Sequence, residues 1–284
     1  MFRLVATDLD GTLLRSDKTI SKETEDFLSA LYDKDIFFVP TTGRSHRELP
    51  DPVRRIAHLR YAITCNGGGV YDFDKQRYIY NFTIDKDLAE KVLRYSETLP
   101  VYPSFVCDGK RYVLTEADGK IPEYVLRRAA AGVLDLAQPS KDLFATLKEM
   151  KSGLQKIFLY SKDDELTLDI ISRLKEAFPE LFITTSGPIF IEITAAGIDK
   201  GKTLRLLCEH LDIPIEESVA FGDAANDLAM LKAAGCAVVP ANGTDEAKAL
   251  ADLNCESCDD DGVRKALERL ISHDGCGEAG RNMV

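Results

Sequence analysis

Short apolar runs that stop abruptly at polar, glycine-containing turns dominate both ends of this chain, and they leave it few folds. Arg3-Leu4-Val5-Ala6-Thr7 breaks off at Asp8, Ile36 to Thr42 at Gly43-Arg44, and Tyr61 to Cys65 at Asn66-Gly67-Gly68-Gly69. Apolar runs this short, without polar alternation, read as strands buried on both faces. After the first, Ser21 precedes the acidic turn Lys22-Glu23-Thr24-Glu25-Asp26, and Phe27, Leu28, Leu31 and Tyr32 follow at helical spacing. Negative charge in a first turn favours a helix start.

The C-terminal third resumes the rhythm. Helices are expected over Lys202 to Leu211, Asn226 to Ala234, Thr244 to Ala251 and Gly262 to Ile271, with strands over Ser218 to Phe221 and Cys236 to Val239. Strand and helix in alternation predict an α/β fold, a Rossmann-like parallel sheet with helices on both faces.

Between about Asp85 and Thr194 the pattern changes. A helix is expected from Leu88 to Leu99. Val101 to Val106 and Arg111 to Thr115 then flank Asp108-Gly109, a hairpin-turn pair. Strand, helix and strand follow over Gln155 to Tyr160, Glu165 to Phe178 and Leu181 to Thr185, and Ser186-Gly187-Pro188 turns into Ile189 to Ile193. This is an antiparallel sheet backed by helices, an α+β module. The expected organisation is a core of residues 1–84 and 195–284 with the module, 85–194, inserted.

A net charge of −11 argues against a nucleic-acid partner, because affinity for a phosphate backbone comes from clustered Lys and Arg. It leaves room for a small phosphate ester held by a few local donors. No apolar run approaches the ~20 residues of a membrane span. The strand at the N-terminus reaches Asp8 too soon for a signal peptide. Seven cysteines, an odd count without a framework of spacings, read as reduced thiols, so a cytoplasmic protein is expected. Cys255 and Cys258 have metal-like spacing. A zinc site would need two further ligands, for which His273 and Cys276 are available; two ordinary thiols at a strand end is the plainer reading.

Four segments sit at predicted strand or helix ends, where ligands bind in open α/β sheets. In Asp8-Leu9-Asp10-Gly11-Thr12 the strand ends and Gly11 lets the chain turn, so the two carboxylates can part. Asp8 can attack a phosphorus as nucleophile, and Asp10 can exchange protons with the leaving and entering oxygens. An acidic turn would look similar, but an EF-hand calcium loop would not: its glycine comes later, and Thr19 stands where its closing Glu is required. Thr41-Thr42-Gly43-Arg44 offers a hydroxyl and freed N–H groups to a phosphate, or is a strand-terminating turn. In Asp199-Lys200-Gly201-Lys202, Lys200 is a cation at a positive helix end, where an ordinary surface lysine is mildly disfavoured. In Gly222-Asp223-Ala224-Ala225-Asn226-Asp227, Asp223 suits a hard cation such as Mg2+, with Asn226 on phosphate and Asp227 behind. A polar N-cap with an acidic turn would give the same letters. Capping accounts poorly for all four in this order.

These segments resemble those of the haloacid dehalogenase (HAD) superfamily, in particular its Cof-type sugar-phosphatase branch with a large α/β cap. Asp8-Leu9-Asp10-Gly11-Thr12-Leu13-Leu14, Thr42-Gly43-Arg44, Lys200-Gly201 and Gly222-Asp223 with Asn226-Asp227 match its four motifs. Asn66-Gly67-Gly68 and Asp261-Gly262-Val263 fit the branch, while Thr41 stands where Ala is more usual. The resemblance implies a phosphatase that hydrolyses phosphate monoesters of small metabolites, sugar phosphates among them, through an aspartyl-phosphate. It implies Asp8 as phosphoryl acceptor and metal ligand, and Asp10 as acid/base whose main-chain carbonyl also binds Mg2+. Asp223 would be the third ligand. Leu9, Thr42, Gly43, Lys200 and Asn226 would hold the phosphoryl oxygens, with Asp227 behind them. It implies that the inserted module is a cap contacting the rest of the substrate.

The partner expected is therefore a small phosphorylated metabolite, taken by a monomer or small homo-oligomer with no nucleic-acid or membrane role. A phosphomutase on the same fold would keep the chemistry but release no phosphate. An inactive binding or regulatory module would keep only the fold.

Overall fold

In a computed structural model of the chain, residues 2–116, 120–128, 134, 136–163, 165–187 and 189–272 are described. They form two compact units, one of residues 1–43, 49–80 and 199–284 and one of residues 44–48 and 81–198.

In the first unit the expected parallel sheet is present. Its strands run in the order Leu253–Cys255, Cys236–Pro240, Ser218–Phe221, Leu4–Thr7 and Phe37–Pro40, all parallel. Leu4–Thr7 lies inside the sheet with a strand on each side, and all four of its residues are buried. One face packs Val5, Phe38, Val219 and Val238 against Leu28, Leu267 and Leu270. The other packs Leu4, Ala6, Val39 and Ala220 against Leu204, Leu207 and Met230. Burial on both faces is why these strands carry continuous apolar runs. Helix Lys22–Ala30 starts at Ser21, whose hydroxyl accepts the N–H of Thr24, as a Ser N-cap should.

Tyr61 to Cys65 departs from the expected parallel order. Ile63 makes one parallel bridge to Thr41, after which Tyr61–Thr64 pairs antiparallel with Gly69–Asp72 in a separate three-stranded sheet completed by Arg77–Asn81. The cause is the glycine-rich turn: Cys65, Asn66 and Gly67 all have positive φ and fold the chain straight back. Helix Asp245–Lys248 is shorter than expected, with Thr244 as its cap.

The second unit holds a six-stranded mixed sheet in the order Leu181–Gly187, Phe190–Ala195, Lys156–Ser161, Val101–Cys107, Lys110–Leu114 and Gln138–Ser140. The predicted hairpin forms, with Cys107 opposite Lys110 and both Asp108 and Gly109 at positive φ, the demand of a tight two-residue turn. Helices Lys86–Ser96, Leu143–Glu149 and Thr167–Ala177 supply the residues that bury one face, where Phe105, Ile157, Leu159, Ile191 and Ile193 meet Val92, Leu147, Ile170 and Leu174. Pro188, from the predicted turn, lies outside the described residues.

Cys65, Cys107, Cys208, Cys255 and Cys258 are free thiols. Burial pushes the Cys255 thiol up to about 12, which suits an inert core residue. His273 and Cys276, the other ligands of the zinc reading, lie outside the described residues.

Candidate active site

The chain leaves the Leu4–Thr7 strand at Asp8, whose N–H still donates to Phe221 O at 2.9 Å. Leu9, Leu13 and Leu14 are sunk in the core, so the loop is pinned by its apolar residues and its polar ones are left at the sheet's end. Gly11 has φ +90°, and a Cβ there would stand 2.6 Å from Asp223 Oδ2. Glycine is needed twice over, for the turn and for the approach of the Asp223 carboxylate.

Three further strand or helix ends supply side chains. Helix Lys200–His210 is capped by Asp199, which accepts the N–H of Lys202 at 2.7 Å. That fixes Lys200 in the first turn with its side chain fully buried. Lys200 Nζ donates to Asp8 Oδ1 at 2.5 Å and to Asp227 Oδ1 at 2.6 Å. Asp223 follows the Ser218–Phe221 strand, and Thr12 Oγ1 donates to its Oδ1 at 2.8 Å. The other oxygen of Asp227 accepts the N–H groups of Asp223 and Ala224 at 3.0 and 3.1 Å. A Cβ on Gly222 would lie 2.4 Å from Asp227 Cβ, so this turn also closes only around glycine.

Asp8, Asp223 and Asp227 thus offer carboxylate oxygens lying within 4.8 Å of one another, against the one ammonium of Lys200. Burial raises the Asp8 carboxyl well above the usual range, and Asp227 and Asp223 add to this while Lys200 opposes it. Burial and the charge of Asp227 raise Asp223 to about 6, against the pull of Thr12. Burial works to lower Lys200, but Asp227 and Asp8 outweigh it and hold the ammonium protonated. The surplus negative charge and the all-oxygen donor set fit a hard divalent cation. Among the described residues this is the group that could hold a metal ion.

The remaining predicted residues are placed as follows. Thr42 and Gly43 follow the neighbouring Phe37–Pro40 strand, where Thr41 N donates to Thr7 O at 2.7 Å, one residue before Asp8. Asn226 lies in the turn Ala225–Asp227, its amide 3.4 Å from Asn66 Oδ1. The N–H of Asn66 in turn donates to Thr42 O at 3.0 Å. Leu9 is buried beside Asp8. The Asp10 carboxylate pairs with Lys18 at 2.9 Å. Sequence reading did not assign Thr12 a contact or single out Lys18. The contact of Thr12 spans 211 positions, which no local pattern signals.

A sequence profile of the haloacid dehalogenase-like hydrolases matches residues 5–267. The chain belongs to that family. It is similar to phosphatase YwpJ of Bacillus subtilis (strain 168), 28% identical with 95% of this chain and all of that one covered. It is also similar to 5-amino-6-(5-phospho-D-ribitylamino)uracil phosphatase YcsE of the same organism, 27% identical over 95% of this chain and 96% of the relative. Among solved structures, TM0651 from Thermotoga maritima superposes with a TM-score of 0.79 at 28% identity, covering 95% of this chain and 97% of the other. The HAD fold places motif residues from separate strand ends together, and in this chain Asp8, Lys200, Asp223 and Asp227 meet.

Proposed function

We propose that this HAD-family hydrolase is a Mg2+-dependent phosphatase that cleaves phosphate monoesters of small metabolites, sugar phosphates among them, through an aspartyl-phosphate on Asp8. The observation that carries the reading is the buried contact of Asp8 with Lys200, itself held by Asp227, beside the Asp223 carboxylate. A carboxylate so placed, at a strand end and beside a fixed ammonium, is equipped to meet a phosphoryl group. The Asp8 and Asp223 carboxylates and the Asp10 carbonyl would hold Mg2+. When bound, the ion offsets negative charge at the phosphoryl oxygens.

The protein's own groups divide the rest. An Asp8 oxygen attacks phosphorus as the bond to the leaving oxygen breaks, and Asp10 gives that oxygen a proton. Asp10 then takes a proton from the water that attacks the aspartyl-phosphate, releasing inorganic phosphate and restoring Asp8. Lys200 keeps the Asp8 carboxylate in place. Leu9 through its N–H, together with Thr42, Gly43, Lys200 and Asn226, orients the phosphoryl oxygens. Residues 1–84 and 195–284 act as the catalytic core, and residues 85–194 as the cap that meets the rest of the substrate. What supports the cap role is the sheet face of the second unit opposite the large apolar cluster. It carries two buried ion pairs, Arg111 with Glu48 and Lys156 with Glu192, around the ring of Phe158. Buried pairs stabilise a fold poorly compared with apolar side chains, so selection for binding is the better account of them.

Relatives named as phosphatases, one of them for a phosphorylated ribitylaminouracil, support the small-metabolite class. No helix of the described residues is long and apolar enough to cross a membrane. The protein is read as cytoplasmic, a monomer or small homo-oligomer without nucleic-acid or membrane partners. The test is phosphate release from a panel of phosphorylated sugars, nucleotides and cofactors. Asp8→Asn should cut turnover roughly 10³-fold or more while leaving the circular dichroism spectrum unchanged. A variant that keeps most activity would refute the covalent route. Turnover of phosphosugars without net phosphate release would turn the reading to a mutase.

A further inference from the structure

Asp10 is assigned proton transfer in the reading above, and a lysine outside the four motifs is bonded to its carboxylate. The carboxylate rests on Lys18, Nζ to Oδ1 2.9 Å, with each side chain one-third exposed. The loop that presents Lys18 is held by several hydrogen bonds. Lys18 has φ +65°, a left-handed backbone that a non-glycine residue adopts at a cost and that concentrates at working sites. Its N–H donates to Arg15 O at 2.8 Å, and Arg15 N donates to Thr19 O at 3.0 Å. Asp17 accepts both the N–H and the hydroxyl of Thr19, at 2.9 and 2.6 Å. The stem is tied to a distant segment: Ser16 gives its N–H and hydroxyl to Asp259 at 2.8 and 2.7 Å, and Arg15 reaches Asp261 at 2.9 Å.

A Lys–Asp pair with each side chain one-third exposed adds little to stability, so stability does not account for a strained loop whose stem is tied down at Arg15 and Ser16. Its effect is to bring one ammonium to one carboxylate. We infer that Lys18 is a positioning residue for Asp10, holding that carboxylate in one orientation so that its proton transfers occur at a fixed place. This rests on the phosphatase reading and adds a residue to it.

The experiment compares wild type, Lys18→Met, Lys18→Gly and Lys18→Arg in single-turnover cleavage of an alkyl phosphate and of p-nitrophenyl phosphate. The alkoxide needs a proton to depart; the nitrophenolate does not. Lys18→Met should slow alkyl ester cleavage roughly tenfold with KM little changed, and p-nitrophenyl phosphate cleavage less than about threefold. Lys18→Gly relieves the left-handed backbone and removes the ammonium, so it should show the same loss and stands in should Lys18→Met fail to fold. Lys18→Arg should recover most of the rate. In an Asp10→Asn background Lys18→Met should have almost no further effect. Equal losses on both esters, no loss on either, or an undiminished effect without Asp10 would each overturn the inference. Wild-type protein inactive on every ester would instead overturn the phosphatase reading itself.

Discussion

Lys200 is a single ammonium beside two buried carboxylates, Asp8 and Asp227, and the half-buried Asp223. Replacing Lys200 with methionine keeps the volume but leaves Asp8 and Asp227 facing each other without a cation. Breaking a buried pair in this way costs about 3–5 kcal/mol. The sign of its pH dependence follows from the carboxylates. Asp8 and Asp223 titrate above their ordinary 3.8, Asp223 at about 6. Their folded protonated forms are therefore favoured, and stability is lost as pH rises through the folded values. Urea unfolding should show the Lys200→Met penalty small near pH 4 and full at pH 7. At this scale the sequence was legible where a residue ends a strand or opens a helix, as Asp8, Asp223 and Lys200 do. Thr12 and Lys18 were not, because their partners are fixed by loop geometry that hydropathy does not encode.

Among the elements, those with strong local signals could be read directly: the buried Leu4–Thr7 strand, the Ser21-capped helix, the Asp108-Gly109 hairpin. Tyr61–Thr64 misled because its apolar run is compatible with either sheet, and the turn after it decides the pairing. The five residues 44–48 carry no signal that would assign them to the second unit. There Glu48 meets Arg111, with Ser45 N–H on its second oxygen at 2.8 Å. Burial pushes the Glu48 carboxyl up, but the Arg111 charge and these hydrogen bonds hold it below the ordinary 4.5. A depressed carboxyl contributes stability above its unfolded pKa and loses it as pH falls through the folded value. Glu48→Gln should therefore destabilise by about 3–5 kcal/mol at pH 7. The gap to wild type, read from urea unfolding, should narrow below pH 4.5.

For the molecule as a whole, cation binding should appear as stability even before any substrate is known. An ion that binds the folded acidic group but not the unfolded chain adds RT ln(1 + [L]/Kd), about 2.7 kcal/mol at a hundredfold excess over Kd. Mg2+ should raise the Tm of the wild type, EDTA should reverse the rise, and Asp223→Asn should abolish it in differential scanning calorimetry. A net charge of −11 will add a diffuse, salt-sensitive attraction for any divalent ion. The comparison is therefore best made at fixed ionic strength.

The second unit is drawn from two separate stretches, 44–48 and 81–198, and this bears on its portability. A graft cut at Asn81 and Ile198 would look like one clean cassette. It would transplant Arg111 while leaving Glu48, 63 positions earlier, in the donor. The recipient would inherit a buried guanidinium without its counter-ion. Exchange of the whole unit therefore takes four cuts, at both ends of residues 44–48 as well as of 81–198, the first of them directly after Thr42-Gly43.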